Sequence, residues 1–99
     1  NDGEQRRDFT YVGDVVNANI LAATHPEDLK GEPFNIGNGD NYSVNELADM
    51  FGGEKVEGEK VLEPFQTLAD NSKAKNILNW NPTGDLPAWI EKYKKDLGI

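Results

Sequence analysis

The sequence has no cysteine and only one histidine, and both scarcities limit its chemistry. Without cysteine, disulfides, thiolate metal ligands and thiol nucleophiles are excluded, and nothing requires an oxidising compartment, so we expect a cytoplasmic protein. The single histidine, His25, precedes Pro26, and we interpret it as a capping or solvent-exposed residue. A transition-metal site would then depend on carboxylates alone, so we expect none. No nucleophile is paired with a base, and the sequence by itself predicts no catalytic residue in this chain.

Long hydrophobic runs are also missing. No apolar stretch approaches the roughly 18 residues that a membrane-spanning helix needs, and no signal-peptide pattern is present, so we expect no membrane partner. Basic residues are few: ten Lys and Arg stand against 18 Asp and Glu, for a net charge of −8. Because such a chain repels a polyanion, we expect no nucleic-acid partner. The length of 99 residues predicts a single domain over 1–99 with one modest core.

Helical and extended patterns alternate along the chain. Asp14 is expected to cap the first helix, and Ser43 with Glu46 forms a capping-box pattern at the second. Pro64 limits the last extended segment to a sheet edge or an irregular path. The fold class is α/β or α+β, with about four helices and a sheet too small to be complete. We predict helices over 15–24, 44–51, 71–78 and from about residue 85 onward, and extended segments over 9–12, 33–37 and 61–69.

Aromatic residues supply the remaining packing predictions. Trp89, Tyr93 and Leu97 share a helical face with Ile90, and we expect these four residues to form the buried stripe of the last helix. Tyr11 has no lysine at a spacing that would make it an acid or a base, so we expect it in the core.

The tripeptide Gly37-Asn38-Gly39 follows an extended segment and precedes a helix, as a dinucleotide-binding turn would. The full fingerprint requires a third glycine three residues after Gly39, where Tyr42 stands. Tyrosine does not permit the close helix–strand approach that glycine allows at that point. A turn with glycine at positive φ explains the pattern as well, so we predict no cofactor site from it alone.

The only two arginines are adjacent, at Arg6 and Arg7, and Asp8 follows them. In an extended segment neighbouring side chains point to opposite sides, so one arginine would face a given cleft and the other would face solvent. Two interpretations stay open at this point. The arginine and Asp8 could form a structural ion pair. Alternatively, a guanidinium could hold a phosphate through two parallel bonds worth about 1.5–3 kcal/mol, with Asp8 orienting it.

Three segments, in their order and spacing, resemble the C-terminal part of the extended short-chain dehydrogenase/reductase family. The resemblance is to its NAD-dependent nucleotide-sugar epimerases and dehydratases, the UDP-sugar 4-epimerases among them. The segments are DGEQRRDFTYVGDVVNANILAA (2–23), GEPFNIGNGDNYSVNELA (31–48) and LADNSKAKNILNWNP (68–82). The resemblance weakens over 52–62 and the last dozen residues. It implies the small substrate-binding part of a Rossmann-type enzyme, with a nucleotide sugar as its ligand.

The resemblance implies roles for four residues. The arginine before the Asp-Phe pair of such enzymes contacts the diphosphate, which implies that contact for Arg7 and a place in the same cleft for Phe9. A second family arginine is replaced by Lys60, which can contact a phosphate only as a point charge. Glu63 matches an acidic residue that binds the ribose hydroxyls. The alignment at Lys60 assumes that no gap precedes Ala69.

Two family motifs are absent from the chain. The glycine-rich turn that binds NAD does not occur, and no lysine stands four residues after Tyr11 or Tyr42, as the catalytic Tyr-x-x-x-Lys pair requires. The resemblance therefore implies a portion that is inactive alone and whose NAD is bound by a preceding domain, onto which 15–23 and 33–37 would pack. The alternative is a free-standing module that binds nucleotide sugars or forms a homo-oligomer through those apolar faces.

Overall fold

The computed structural model describes residues 2–59 and 61–99. The two short strands pair antiparallel, with Arg6 opposite Ser43 and Arg7 opposite Tyr42. Over the described residues the chain has four helices and a two-stranded sheet, which confirms the predicted fold class. The elements are β1 (Arg6–Arg7), α1 (Val12–Ala23), β2 (Tyr42–Ser43), α2 (Val44–Phe51), α3 (Ser72–Leu78) and α4 (Leu86–Leu97).

Two helices begin where local sequence signals predict. At α2, the Ser43 hydroxyl accepts a hydrogen bond from the Glu46 N–H (3.0 Å), and the Glu46 carboxylate accepts one from the Ser43 N–H (2.8 Å). At α4, the Asp85 carboxylate accepts from the Ala88 N–H at 3.2 Å, and Pro87 lies in the first turn. Both predictions are confirmed, because such caps depend only on residues within one turn of each other.

Helix α1 begins earlier than predicted, at Val12, so Asp14 lies inside the first turn and does not cap the helix. The Asp14 carboxylate is 4% exposed and accepts hydrogen bonds from the Thr83 N–H (2.9 Å), the Thr83 hydroxyl (2.8 Å) and the Gly84 N–H (2.8 Å). Its backbone carbonyl accepts from the Trp80 indole at 2.8 Å. Burial raises the pKa of Asp14, but the three hydrogen bonds outweigh burial and the pKa lies below its usual value. The capping prediction was wrong because partners distant in sequence bind this side chain.

The core lies between α1 and α3 and is centred on the fully buried Trp80. On the loop after α1, His25 Nε2 lies 3.2 Å from the Ile77 carbonyl in the last turn of α3, so the half-buried imidazole contacts the end of α3 rather than the helix that it follows. The other buried members of the core are Ala18, Ala74 and Leu78, and the partly buried side chains around them are Leu21, Ala22, Leu29, Phe34 and Ile36.

Two of the three predicted extended segments are not strands. Residues 9–12 lead directly into α1, and residues 33–37 form no ladder with another described residue. A strand requires a backbone neighbour to pair with, and 33–37 form no such ladder within the described residues, so the strand prediction for 33–37 was wrong. The other segment is an extended entry to α1, since the backbone of Tyr11 is extended. The prediction for 61–69 is confirmed, because this segment is irregular and a single parallel bridge joins Gln66 to Arg6.

The aromatic residues are less buried than predicted. In α4 only Ile90 is fully buried, whereas Trp89, Tyr93 and Leu97 are between 38% and 55% exposed. Tyr11 is 45% exposed as well. The burial predictions for these residues were wrong because, among the described elements, α2 is the one that packs extensively against α4. The rings still interact, since Trp89 stacks on Tyr93 at 5.0 Å.

The outer face of α1 is apolar and uncovered. Val12, Val16 and Ile20 on this face are between 51% and 70% exposed. The molecule measures 51 × 34 × 16 Å, and its radius of gyration of 16.4 Å exceeds the roughly 13 Å of a compact domain of this size. The chain is therefore thin, and α1 covers the core on one side only. No helix within 2–59 and 61–99 is long and apolar enough to cross a membrane.

Candidate functional site

Strand β1 lies between β2 and an extended segment from much later in the chain. On the side away from β2, the Arg6 N–H donates to the Phe65 carbonyl at 2.8 Å, and the Thr67 N–H donates to the Arg6 carbonyl at 3.0 Å. Residues 6–8, 37–41 and 65–69 contact one another, and we call this region the β1 junction. Because hydrogen bonds hold the backbone of β1 on both sides, the positions of the Arg6 and Arg7 side chains are fixed relative to these two segments.

Asp8 connects the three segments of the β1 junction. Its carboxylate accepts hydrogen bonds from the backbone N–H groups of Asn38 (2.9 Å), Gly39 (3.0 Å) and Ala69 (3.1 Å). Its own N–H donates to the Thr67 hydroxyl at 3.1 Å. The carboxylate therefore organises backbone, and the two expectations that it pairs with an arginine or orients one were wrong.

Arg6 is a structural residue of the junction. Its Nε and Nη2 donate to the side-chain and backbone oxygens of Asn41 at 2.9 and 3.1 Å, and its Nη1 donates to Glu46 at 2.9 Å. The hydrogen bond from the Ser43 N–H lowers the pKa of Glu46 below its usual value, and the charge of Arg6 lowers it further. Arg6 thus ties β1 to the start of α2, and it is not the solvent-facing residue that alternation along the strand predicts.

Arg7 has different surroundings. Its Nη1 donates to the Arg6 carbonyl at 2.7 Å, and its Nη2 lies 3.4 Å from a carboxylate oxygen of Glu63. The two side chains of this ion pair are 26% and 33% exposed. The structure therefore brings together Arg7 and Glu63, two of the residues singled out from the sequence, although they come from distant parts of the chain.

The structure describes only one of the other two residues singled out. Lys60 is outside the described residues. Phe9 lines a cavity of about 500 Å³ between the start of α1 and the start of α4, together with Tyr11, Trp89 and Lys92. Neither Arg7 nor Glu63 is among the residues that line this cavity.

The loop at 37–39 does not fit the phosphates of a dinucleotide. Its Asn38 and Gly39 N–H groups already donate to Asp8, and the negative charge of that carboxylate would repel a phosphate. Gly39 has φ of 81°, which confirms a turn with glycine at positive φ, and a Cβ on Gly37 would clash with Ala69. Packing and turn geometry explain both glycines, and the loop offers no site for NAD.

Sequence reasoning missed Asp8 and Asn41 as organisers of this region. Asp8 meets Asn38 across 30 residues and Arg6 meets Asn41 across 35, so no local pattern links them. One signal was available: a Gly-Asn-Gly turn presents consecutive N–H groups, and such groups bind an anion, which here is a side chain of the same protein.

The comparisons with known proteins extend this description. The sequence profile of the NAD dependent epimerase/dehydratase family matches residues 1–37. The chain is 37% identical over 91 residues to UDP-glucuronate 4-epimerase of Thermodesulfobacterium geofontis, covering 82% of this chain and 27% of that protein. It is also 37% identical over 103 residues to UDP-glucuronic acid decarboxylase 1 of Arabidopsis thaliana, covering 96% of this chain and 23% of that protein.

The fold matches as well. The crystal structure of UDP-glucuronic acid 4-epimerase from Bacillus cereus in complex with UDP-glucuronic acid and NAD is similar with a TM-score of 0.78 and 33% identity. The match covers 97% of this chain and 34% of that one. The chain therefore spans about a third, or less, of the length of the relatives it matches.

The chain has the fold of the C-terminal part of a Rossmann-type, NAD-dependent enzyme. The comparisons confirm the resemblance to the NAD-dependent epimerase/dehydratase family drawn from its sequence, and they confirm NAD as the cofactor of that family. The same segment matches both an epimerase and a decarboxylase. This part of the fold therefore does not by itself determine which reaction the whole enzyme performs.

Proposed function

We propose that this chain is the substrate-binding portion of an NAD-dependent nucleotide-sugar epimerase or dehydratase, of the UDP-sugar 4-epimerase type. Residues 1–99 would form the domain that holds the nucleotide end of the substrate. Relatives at 37% and 33% identity are 4-epimerases named for UDP-sugars, which supports this class of ligand. The observation that carries the proposal is the contact between Arg7 and Glu63, the residues that the family resemblance assigns to diphosphate and ribose.

Arg7 suits a diphosphate because a strand fixed on both sides presents its guanidinium at the surface. The side chain is 26% exposed, so it is accessible and also partly desolvated, which strengthens charge-assisted hydrogen bonds. Arg6 is already engaged with Asn41 and Glu46. In this proposal Arg7 is therefore the phosphate ligand and Arg6 is the residue that holds its strand.

The remaining roles are assigned around Arg7. Glu63 accepts hydrogen bonds from the ribose hydroxyls, for which a carboxylate has several lone pairs. Lys60, three residues earlier, supplies a single-point phosphate contact. Phe9 provides an apolar wall on the substrate side, and the cavity of about 500 Å³ that it lines is large enough to accept part of a ligand.

The chain alone is proposed to be inactive. It lacks the Tyr-x-x-x-Lys pair, and its loop at 37–39 does not fit NAD. Bound elsewhere in a whole enzyme, NAD would supply reversible hydride transfer, while the residues of this chain bind and orient the substrate. We place this activity in the cytoplasm, as the lack of cysteine suggests.

The test is UDP binding to the 99-residue chain, measured by isothermal titration calorimetry. Arg7→Ala should raise the Kd about tenfold or more, because a charge-assisted pair of hydrogen bonds is worth about 1.5–3 kcal/mol. Arg7→Lys should recover only part of the affinity, since lysine keeps the positive charge but cannot donate two parallel hydrogen bonds. Lys75→Ala, which removes an exposed positive charge from α3, is the matched control. An unchanged Kd for Arg7→Ala would refute the proposed site.

A second function is favoured by the uncovered face of α1. Val12, Val16 and Ile20 form an apolar surface of the kind that marks protein interfaces, so the chain would act as an association module that pairs with a second copy of itself. Sedimentation equilibrium would then show a homo-oligomer that Val16→Lys converts to a monomer. A wild-type chain that stays monomeric at high concentration would reject this function.

A further inference from the structure

We propose that Glu63 is an internal competitor for the anion site on Arg7 and thereby sets the ligand specificity of that site. This inference rests on the proposed function, because it concerns the same two side chains. It adds that the Arg7–Glu63 ion pair must open before a phosphate binds. A ligand then recovers the lost interaction only if it offers hydroxyl groups to the released carboxylate.

The position of Glu63 on the guanidinium carries the argument. A guanidinium binds an oxyanion through two parallel bonds from either Nε with Nη2 or Nη1 with Nη2, because Nη1 lies on the same side as Cδ and cannot share an anion with Nε. The nitrogen common to both arrangements is Nη2. In this protein Nη2 faces Glu63 at 3.4 Å, while Nη1 donates to the Arg6 carbonyl at 2.7 Å. Any two-point phosphate contact therefore meets the carboxylate at the nitrogen it must use.

The ion pair is also of a kind that can open. The two side chains are 26% and 33% exposed, so each charge remains in contact with water when the pair separates. A pair with this exposure changes an equilibrium by only about twofold to fivefold. Glu63 therefore modulates anion binding at Arg7 and does not abolish it.

The backbone keeps Glu63 near Arg7 when the ion pair opens. The segment that follows Glu63 is attached to β1 through Phe65 and Thr67, by hydrogen bonds of 2.8 and 3.0 Å that do not involve the Arg7 side chain. Release of the guanidinium therefore does not require the hydrogen bonds of Phe65 and Thr67 to break. The carboxylate then remains next to the bound anion, where it can accept hydrogen bonds from neighbouring hydroxyl groups.

The consequence is discrimination among anions. When bare phosphate or pyrophosphate binds Arg7, the Arg7–Glu63 ion pair is lost and the ligand offers Glu63 no hydroxyl group in exchange. The ligand also lies next to the negative charge of Glu63. A nucleoside diphosphate meets the same cost and offsets it through its ribose diol. The site should therefore favour UDP over pyrophosphate by more than the uracil contacts alone provide.

The experiment compares Glu63→Gln with the wild-type chain, using inorganic pyrophosphate and UDP as separate titrants. Pyrophosphate should bind about twofold to fivefold more tightly to Glu63→Gln, because the competing charge is gone. UDP should bind no more tightly, because the gain is offset by weaker acceptance of the ribose hydroxyls. Glu91→Gln, which removes the same charge from α4, is the matched control. Glu63→Ala should shift pyrophosphate in the same direction.

Different failures separate this inference from the proposed function. Unchanged or weaker pyrophosphate binding by Glu63→Gln, with UDP binding still lost in Arg7→Ala, would refute the competition and leave the site intact. Equal tightening of both ligands would refute the role in specificity. If Arg7→Ala binds UDP as well as the wild type does, the proposed function fails and this inference fails with it.

Discussion

Two aspartates of this chain bind consecutive backbone N–H groups, with different consequences. Asp8 accepts from Asn38 and Gly39 at 2.9 and 3.0 Å, and Asp14 accepts from Thr83 and Gly84 at 2.9 and 2.8 Å. Asp14 is 4% exposed, and its carbonyl accepts from the central tryptophan of the core. Asp8 is half-buried and lies next to Arg7 in the sequence. The same chemistry closes the core in one place and builds the strand that presents the candidate site in the other.

The comparison leads us to expect that the residues packed against each junction decide whether its loss affects mainly stability or mainly the candidate site. Behind Asp14 are Trp80 and the faces of α1 and α3, so loss of the carboxylate would open the core. Asp8 holds residues 38–39 and 67–69 against β1, so its loss would mainly make the position of Arg7 less fixed. Matched substitutions at the two aspartates can test this difference.

The largest effect is expected from Trp80→Ala, which empties the core beneath Asp14. Trp80 is fully buried and its indole donates to the Asp14 carbonyl at 2.8 Å, so we expect a loss of about 3–5 kcal/mol in the free energy of unfolding. In a chain this small such a loss would leave little folded protein. Urea unfolding followed by circular dichroism measures it. Trp80→Phe, which keeps most of the volume and loses the indole N–H, should cost clearly less, and equal losses would contradict the cavity explanation.

A smaller loss is expected from Asp14→Asn. The asparagine side chain keeps one accepting oxygen, but its NH₂ group is a donor and cannot accept from the N–H groups of Thr83 and Gly84. We therefore expect a loss of about 1–3 kcal/mol in the free energy of unfolding at neutral pH. Asp14 bonds Thr83 and Gly84, which line the cavity beside Phe9, and it does not bond Arg7, so the Kd for UDP of the folded fraction should change less than in a variant of Asp8. A large change in Kd would show that the two junctions are coupled.

Asp14 also predicts an acid dependence. Its folded pKa lies below the ordinary value of 3.8, so the stability it contributes is present above that value and is lost as the pH falls through the lower folded pKa. Glu46 and Asp70 act in the same direction, since hydrogen bonds to Ser43 and Ser72 lower their pKa values. The urea midpoint of the wild type should therefore fall as the pH drops from about 5 through 3.8 and below, and that of Asp14→Asn should fall less. If the urea midpoints of the two proteins fall in parallel with pH, Asp14 does not contribute to the acid dependence.

The smallest effect on stability is expected from Asp8→Asn. Asp8 is itself half-buried whereas Asp14 is 4% exposed, so water can replace part of the lost acceptance at Asp8 and we expect a loss of about 0.5–1.5 kcal/mol. The effect on UDP binding should be larger than that of Asp14→Asn, because β1 and Arg7 lose their fixed position. Calorimetry on both variants provides the comparison, and equal UDP affinities for the two would contradict the functional role of the β1 junction.

Local sequence patterns predicted the parts of this fold that depend on neighbouring residues. The capping box of Ser43 and Glu46, the start of the last helix near Asp85 and the irregular edge imposed by Pro64 involve residues within a few positions, and the structure confirms each. The predicted strand at 33–37 and the buried stripe at Trp89 failed, because both depend on a partner that the described residues do not provide.

The family could also be read from the sequence alone, because three spaced segments carry it and the comparisons confirm it. Of the residues it singled out, Arg7 and Glu63 come together in the structure, and their roles toward a nucleotide sugar stay predictions. Only the tertiary structure decided which arginine is engaged and what each aspartate binds. Arg6 bonds Asn41 across 35 positions, and Asp8 bonds Asn38 across 30. Such contacts form only when the folded backbone brings the two segments together. Adjacent residues of the same type are equivalent in a sequence, and they become different when the fold gives them different neighbours.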